Sequence, residues 1–277
     1  MRQFLLVLAV IAGSAQAEDA RLTSLQTGEE ARGWEAVGRL DIDGKGFCTG
    51  ALIAPDLVLT AAHCMFDRDT GLAIDPARLQ FLAGLRNGRA LAYRDVRLAL
   101  TLPDYVHTGV VSALTSRYDL ALLQLTQPIR STEITPFAVI PSASIGTEVA
   151  VVSYAADRAE APSLQQVCGV LGQQDGVIVM SCDVDFGSSG APIFSIRDGV
   201  AQIVSVVSAK ADLDGDQVAL GTNLDVPLAA LYAELDADRG QFLEPLPAQV
   251  RVITPGQRND TGAKFVSVGA DKHALKP

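Results

Sequence analysis

FCTGALIAPDLVLTAAHC occupies residues 47–64. Within it, CTGALIA (48–54) and LVLTAA (57–62) are short apolar runs separated by Pro55-Asp56. Runs of six or seven residues are strand-length rather than helix-length, and Pro-Asp is turn chemistry. The stretch therefore reads as strand, turn, strand, with His63 and Cys64 delivered to the end of the second strand. The same reading extends down the chain to DLALLQL (119–125), EVAVVSY (148–154), GVIVMS (176–181), APIFSI (191–196) and AQIVSVVS (201–208). Asp43-Gly44, Asp198-Gly199 and Asp214-Gly215 are hairpin-turn signals. One segment departs from this pattern. VPLAALYAELDAD (226–238) spaces Leu228, Leu231 and Leu235 by three and four residues, which predicts an amphipathic helix with Asp225 as its cap and Gly240 as its stop. Many short strands before one late helix predict an all-β barrel or sandwich fold. Gln127–Gly146, with Pro128, Pro136 and Pro141, reads as a linker that divides the strands into two groups. Two antiparallel β-barrels would fit that division.

The 277 residues are 48% hydrophobic and 19% charged, which excludes a disordered chain and suffices for a sizeable core. Only 5% are aromatic, so Ala, Val, Leu and Ile must fill that core. The net charge of −10 argues against nucleic acid as a partner, since phosphate binding needs a basic surface. Residues 240–277 carry Arg251, Arg258, Lys264, Lys272 and Lys276 against Glu244, Asp260 and Asp271, and they read as a solvated, extended appendix. At the other end, Arg2 precedes the apolar run Phe4–Ala12 and the Ala15-Gln16-Ala17 cleavage pattern. This predicts a signal peptide cut after Ala17 and a secreted or periplasmic mature chain. The apolar run is too short to span a bilayer, and no later run reaches 18 apolar residues, so no membrane association is expected of the mature form.

Export sets the reading of Cys48, Cys64, Cys168 and Cys182. An even count in an oxidising compartment predicts two disulfides, and four cysteines allow three connectivities between which the arithmetic does not choose. Zinc is the weaker alternative, because there is no CxxC spacing and His63 stands alone among nearby histidines.

The chain has three histidines. His273 lies in the tail, His107 in a polar loop, and His63 at a strand end. Asp119 opens the apolar run DLALLQL; a carboxylate at the mouth of a buried strand needs a partner, and an imidazole N–H would suit. Gly187-Ser188-Ser189-Gly190-Ala191-Pro192 can turn tightly and point successive N–H groups into one concavity, a nest for an oxyanion. Taken alone it would be a Gly-Ser loop.

LTAAHC, YDLALL and GSSGAP, in the order His, Asp, Ser, together resemble the chymotrypsin-like (trypsin-like) serine peptidase family over roughly residues 34–239. The resemblance implies an all-β fold of two barrels with a catalytic cleft between them and a C-terminal helix. It implies His63 as general base, Asp119 as its orienter and Ser189 as nucleophile, with the N–H groups of Gly187 and Ser189 as the oxyanion hole. Cys48 and Cys64 stand at the positions of the family's histidine-loop disulfide. Ser205, Val206 and Val207 stand for its cleft-lining strand, and GTNLDV (221–226) for the strand that follows. Asp183, Asp185 and Phe186 fall in the stretch before the nucleophile where the family forms its specificity pocket; Asp183 or Asp185 could be an acidic pocket base favouring Lys or Arg, the alternative being that both carboxylates are solvated. The implied activity is exported endopeptidase cleavage of polypeptides by a monomer, without metal or cofactor. The competing reading is a secreted binding protein on the same fold.

There are departures. Ser188 replaces the aspartate that precedes the nucleophile in animal members, which puts activation through a new N-terminus in doubt. Bacterial members resembling glutamyl endopeptidases also lack that aspartate. Cys182 lies seven residues before Ser189 rather than four. Val207, where the family often has glycine, points to small or medium apolar side chains at the cleavage site. No histidine occurs in 203–208, which argues against glutamate specificity. Asp212, Asp214 and Asp216 imitate calcium ligands but read as a charged turn. The expected organisation is a signal peptide (1–17), an N-terminal segment or short propeptide (18–33) in which Arg21-Leu22 is a candidate cut, a first barrel (34–130), a second barrel plus helix (131–239) and an extension (240–277).

Overall fold

The computed structural model describes residues 22–109, 112–141, 143–213 and 215–241. The signal-peptide reading, His273 and most of the tail lie outside them. Its elements run β1 Leu22–Ser24, β2 Val37–Ile42, β3 Gly46–Ala54, β4 Leu57–Thr60, β5 Leu79–Ala83, β6 Ala92–Thr101, a short α1 Ala113–Ser116 and β7 Ala121–Leu125. There follow β8 Ala138–Val139, β9 Glu148–Ala155, β10 Arg158–Gln174, β11 Val177–Met180, β12 Pro192–Arg197, β13 Val200–Leu213, β14 Asp216–Asn223 and α2 Asp225–Gln241.

The predicted strand–turn–strand at 47–64 is β3 and β4, paired antiparallel with Ala51 opposite Leu59. Both read as continuous apolar runs because both are buried: all four residues of β4 and the middle five of β3 are inside. Strands β2-β3-β4-β7-β6-β5 close a barrel in that order. The later strands pair in a ring, β9-β10-β11-β14-β13-β12 and back to β9, with β1 added to β10 and β8 lying parallel to β13. The mainly β fold with a C-terminal helix is thus as the sequence predicts. Asp43-Gly44 and Asp198-Gly199 make the predicted tight hairpins, with φ of 53° and 66° in the first and 52° and 77° in the second.

Three segments show more than their composition announces. The segment after β7 lies between the two strand groups and is itself packed. Ile129, Ile134 and Phe137 are buried, Phe137 N–H donates to Leu52 O, and Ile140 N–H donates to Ile203 O, so it is tied to strands of both groups. Phe137 packs edge-on to Phe194 at 4.7 Å, and Trp34 lies 5.0 Å from Phe194, an aromatic cluster joining the two strand groups. The N-terminal segment is integrated as well: Leu22–Ser24 pairs with Gln165–Ser163, and Leu25 is buried. Helix α2 buries Leu228, Leu231 and Leu235 as predicted but runs through Gly240 to Gln241. The described residues up to Asp238 form one compact unit.

The cysteines pair locally, Cys48 with Cys64 and Cys168 with Cys182. Asp212 Oδ1 accepts Gly215 N–H at 3.0 Å, so that carboxylate serves the predicted charged turn.

Candidate active site

His63 sits in a single turn of 3-10 helix, Ala62–Met65, directly after β4. The disulfide from Cys64 back to Cys48 on β3 fixes that turn against the barrel. His63, Cys48 and Cys64 lie close enough to hold a metal ion. Both sulfurs are committed to the disulfide, however, so neither offers a thiolate.

Asp119, just before β7, is 3% exposed. A carboxylate so buried is tolerated only when fully hydrogen-bonded. Its Oδ1 accepts the His63 backbone N–H at 2.8 Å. Its Oδ2 accepts His63 Nδ1–H at 2.7 Å and the Ser208 hydroxyl at 2.6 Å. A carboxylate can only accept, so Nδ1 carries the imidazole proton and Nε2 is left as a base. Beside this pair, burial pushes the Tyr105 phenol upward, and the Asp119 charge adds to the effect. The Tyr105 ring packs at 5.7 Å from Phe66, which also stacks on His107 at 5.0 Å. His107 therefore forms part of an aromatic wall of the cleft, apart from the carboxylate.

Ser189 lies on the loop between β11 and β12. Ser188 is fully buried, and its hydroxyl donates to Ser153 Oγ at 3.2 Å. Ser189 instead lines a cleft of ≈ 610 Å³ together with His63 and Asp119. Among the described residues no hydrogen bond joins Ser189 Oγ to the imidazole; without substrate such contacts are often long and tighten on binding.

Two peptide units in this loop are anchored by their carbonyls. Phe186 O accepts Ala156 N–H at 2.7 Å, and Ser188 O accepts Ala191 N–H at 2.9 Å. Their N–H groups, those of Gly187 and Ser189, make no hydrogen bond among the described residues, so both donors are free for a ligand. The loop needs glycine at its exit. Gly190 has φ of +78°, and a Cβ there would lie 2.1 Å from Thr60 Oγ1 and 2.3 Å from Thr49 O. Gly190→Ala is expected to cost more than about 3 kcal/mol, from the strained φ and the backbone clash together. Urea denaturation checks this; a variant within about 1 kcal/mol of wild type would show that the loop relaxes freely.

The structure therefore brings His63, Asp119, Ser189, Phe186 and Val207 to one cleft. It does not bring Asp183, Ser205 or Val206 there. Asp183 is exposed, with its N–H on Gln165 Oε1. Ser205 is buried and donates to Thr222 O at 2.8 Å, and Val206 lies in the core. The serine that meets Asp119 is Ser208, three residues later, and Ala209 and Lys210 follow it along the cleft. A break in pairing register between Val207 and Ala209 carries Ser208 to the carboxylate. The buried Asp119 was the available signal for a second hydroxyl, but two serines in one apolar run could not be told apart without the tertiary pairing. Arg68, whose guanidinium lies 6.0 Å from the Phe186 ring, also lines the cleft and carries no sequence signal.

A double-barrel fold with a carboxylate-held histidine and a glycine-framed serine on one cleft defines the class, and the sequence comparison agrees. Residues 48–201 match the trypsin-like peptidase domain, and the chain belongs to that family. It is 27% identical over 150 residues to a glutamyl endopeptidase of Bacillus licheniformis, covering 54% of this chain and 45% of that protein. It is 31% identical over 153 residues to brachyurin of Leptuca pugilator, covering 55% and 62%. It is 38% identical over 95 residues to a modular serine protease of Drosophila melanogaster, covering 31% and 14%. The matches thus span less than two thirds of each of these relatives. A solved structure of a Glu endopeptidase in complex with MPD superposes with a TM-score of 0.63 at 18% identity, over 81% of this chain and 99% of that one, a likeness of fold.

Proposed function

We propose that this chain is an exported serine endopeptidase working through His63, Asp119 and Ser189. Ser189 Oγ attacks the scissile carbonyl carbon as its proton passes to His63 Nε2. The charge that develops on the carbonyl oxygen is received by the N–H groups of Gly187 and Ser189. The imidazolium, stabilised by Asp119, then protonates the leaving amine, the C–N bond breaks, and an ester to Ser189 remains. Water repeats the sequence: its proton goes to Nε2, its oxygen takes the acyl group, and Ser189 leaves with the proton restored.

The observation that carries this reading is the Ser208–Asp119–His63 network beside a cleft-facing Ser189. Two disulfides fit the oxidising compartment that export implies. Val184 and Val207, both on the cleft wall, favour a small or medium apolar side chain at the cleaved residue. A peptide library incubated with the purified mature protein and with its Ser189→Ala variant tests the reading. Cleavage by the first only, concentrated after Ala, Val or Leu, is the expected result. A library left intact by both would favour a binding protein on this fold, and cleavage centred on acidic residues would overturn the specificity.

A further inference from the structure

Thr49 belongs to β3, on the first barrel, yet three of its bonds go to the second. Its N–H donates to Ser189 O at 2.8 Å. Its hydroxyl donates to Gly187 O at 2.8 Å and accepts the Tyr154 N–H at 3.0 Å. A hydroxyl has one proton, and the alternative acceptor, Tyr154 O, is farther away at 3.5 Å. Thr49 is fully buried, and its own carbonyl is held by Thr60 Oγ1 at 2.8 Å, so the residue cannot shift without breaking bonds in both barrels.

These contacts fall on the peptide unit between the two free donors and on the one that follows the second. The Gly187–Ser188 unit has its oxygen on Thr49 and its N–H on Asp185 O at 2.8 Å. The Ser189–Gly190 unit has its oxygen on Thr49 and its N–H on Val207 O at 2.8 Å. A planar peptide fixed at both ends cannot swing. With both units fixed, the Ser189 N–H between them and the Gly187 N–H before them keep their direction. The short O–H···O bond of one side chain thereby sets the aim of the donors from across the inter-barrel seam.

We propose that the Thr49 hydroxyl is a positioning group for the oxyanion hole, acting through Gly187 O. This rests on the reading of the Gly187 and Ser189 N–H groups as oxyanion donors. The test compares wild type, Thr49→Val (isosteric, no hydroxyl) and Thr49→Ser (hydroxyl kept). It measures kcat and KM on a cleaved library peptide, and Ki for the matching peptide aldehyde, whose adduct carries the oxyanion. Because Val leaves Tyr154 N–H and Gly187 O unpaired, all assays run well below each variant's own Tm; should it not fold, Thr49→Ala takes its place. Losing one oxyanion donor outright costs about 10²–10³ in kcat. A misaimed hole should lower kcat in the Val variant by about 10–100-fold, with KM within about threefold. Aldehyde Ki should rise in parallel, and the Ser variant should recover to within about threefold. A Val variant within about twofold of wild type in kcat, or a Ser variant as impaired as Val, overturns the proposal. A wild type as inert as Ser189→Ala would instead remove the reading beneath it.

Discussion

Ser189→Ala is expected to lower kcat for peptide hydrolysis by on the order of a million-fold, with folding stability unchanged within about 0.5 kcal/mol. The two halves of this expectation have separate origins. The Ser189 hydroxyl makes no hydrogen bond among the described residues, and the residue is half-buried at the cleft, so its removal strands no partner. The backbone on either side is held by Thr49, Val207 and Ala191 through main-chain atoms that alanine retains. The proposed chemistry, by contrast, has no other acyl acceptor. Ser188 cannot substitute, because its hydroxyl is buried against Ser153 and Tyr154. Steady-state kinetics beside a thermal melt check both halves. A variant that keeps even a hundredth of the wild-type rate would mean that another group performs the attack.

Asp119→Asn is expected to lower kcat by about 10⁴-fold, with a stability loss of about 1–3 kcal/mol. One carboxylate oxygen accepts from both His63 Nδ1 and Ser208 Oγ, and the other accepts the His63 backbone N–H. An amide has a single accepting oxygen. Turned toward the backbone N–H, it presents its NH₂ to the imidazole. Nδ1 must then become the acceptor, which moves the ring proton to Nε2 and removes the base. Turned the other way, the NH₂ opposes the backbone N–H and destabilises the turn that carries His63. The substrate KM should change little, since neither flip alters the cleft wall. The kcat/KM ratio against the urea midpoint separates the catalytic loss from the structural one. A variant with full kcat would show that His63 does not need this tautomer.

What the sequence makes legible here is what lies close together along the chain. The turn at Pro55-Asp56, the burial of β3 and β4 and the arrival of His63 at a strand end are all set within 18 residues. The glycines flanking Ser188 and Ser189 announce a tight loop, and the resemblance to the trypsin-like motif, not the spacing, singles out Ser189 over Ser188. Asp119 is legible as a carboxylate that needs partners; an imidazole N–H suits it, and His63 Nδ1 lies 2.7 Å from its Oδ2. What is not legible depends on pairing across distance. Ser205 and Ser208 share one apolar run, and only the β13–β14 register break decides which reaches Asp119. Asp183 and Asp185 are two residues apart, yet only Asp185 lines the cleft. The proline-rich segment after β7 has linker composition but buries Ile129, Ile134 and Phe137, because both strand groups offer it apolar surface. Thr49 gives no signal at all, since a threonine in a strand is ordinary; its role comes from the second barrel packed against it.

The measurement that bears most directly on the central claim is a fluorophosphonate reaction with the purified mature protein, mapped by mass spectrometry beside Ser189→Ala. The probe phosphonylates a serine, with loss of fluoride, when a base can take its proton and donors can hold the phosphonyl oxygen. The account predicts one adduct, on the peptide containing Ser189, and none in the variant. A folded protein that stays unlabelled, or labelling that survives the substitution, would contradict the assignment of His63, Asp119 and Ser189 as a working triad.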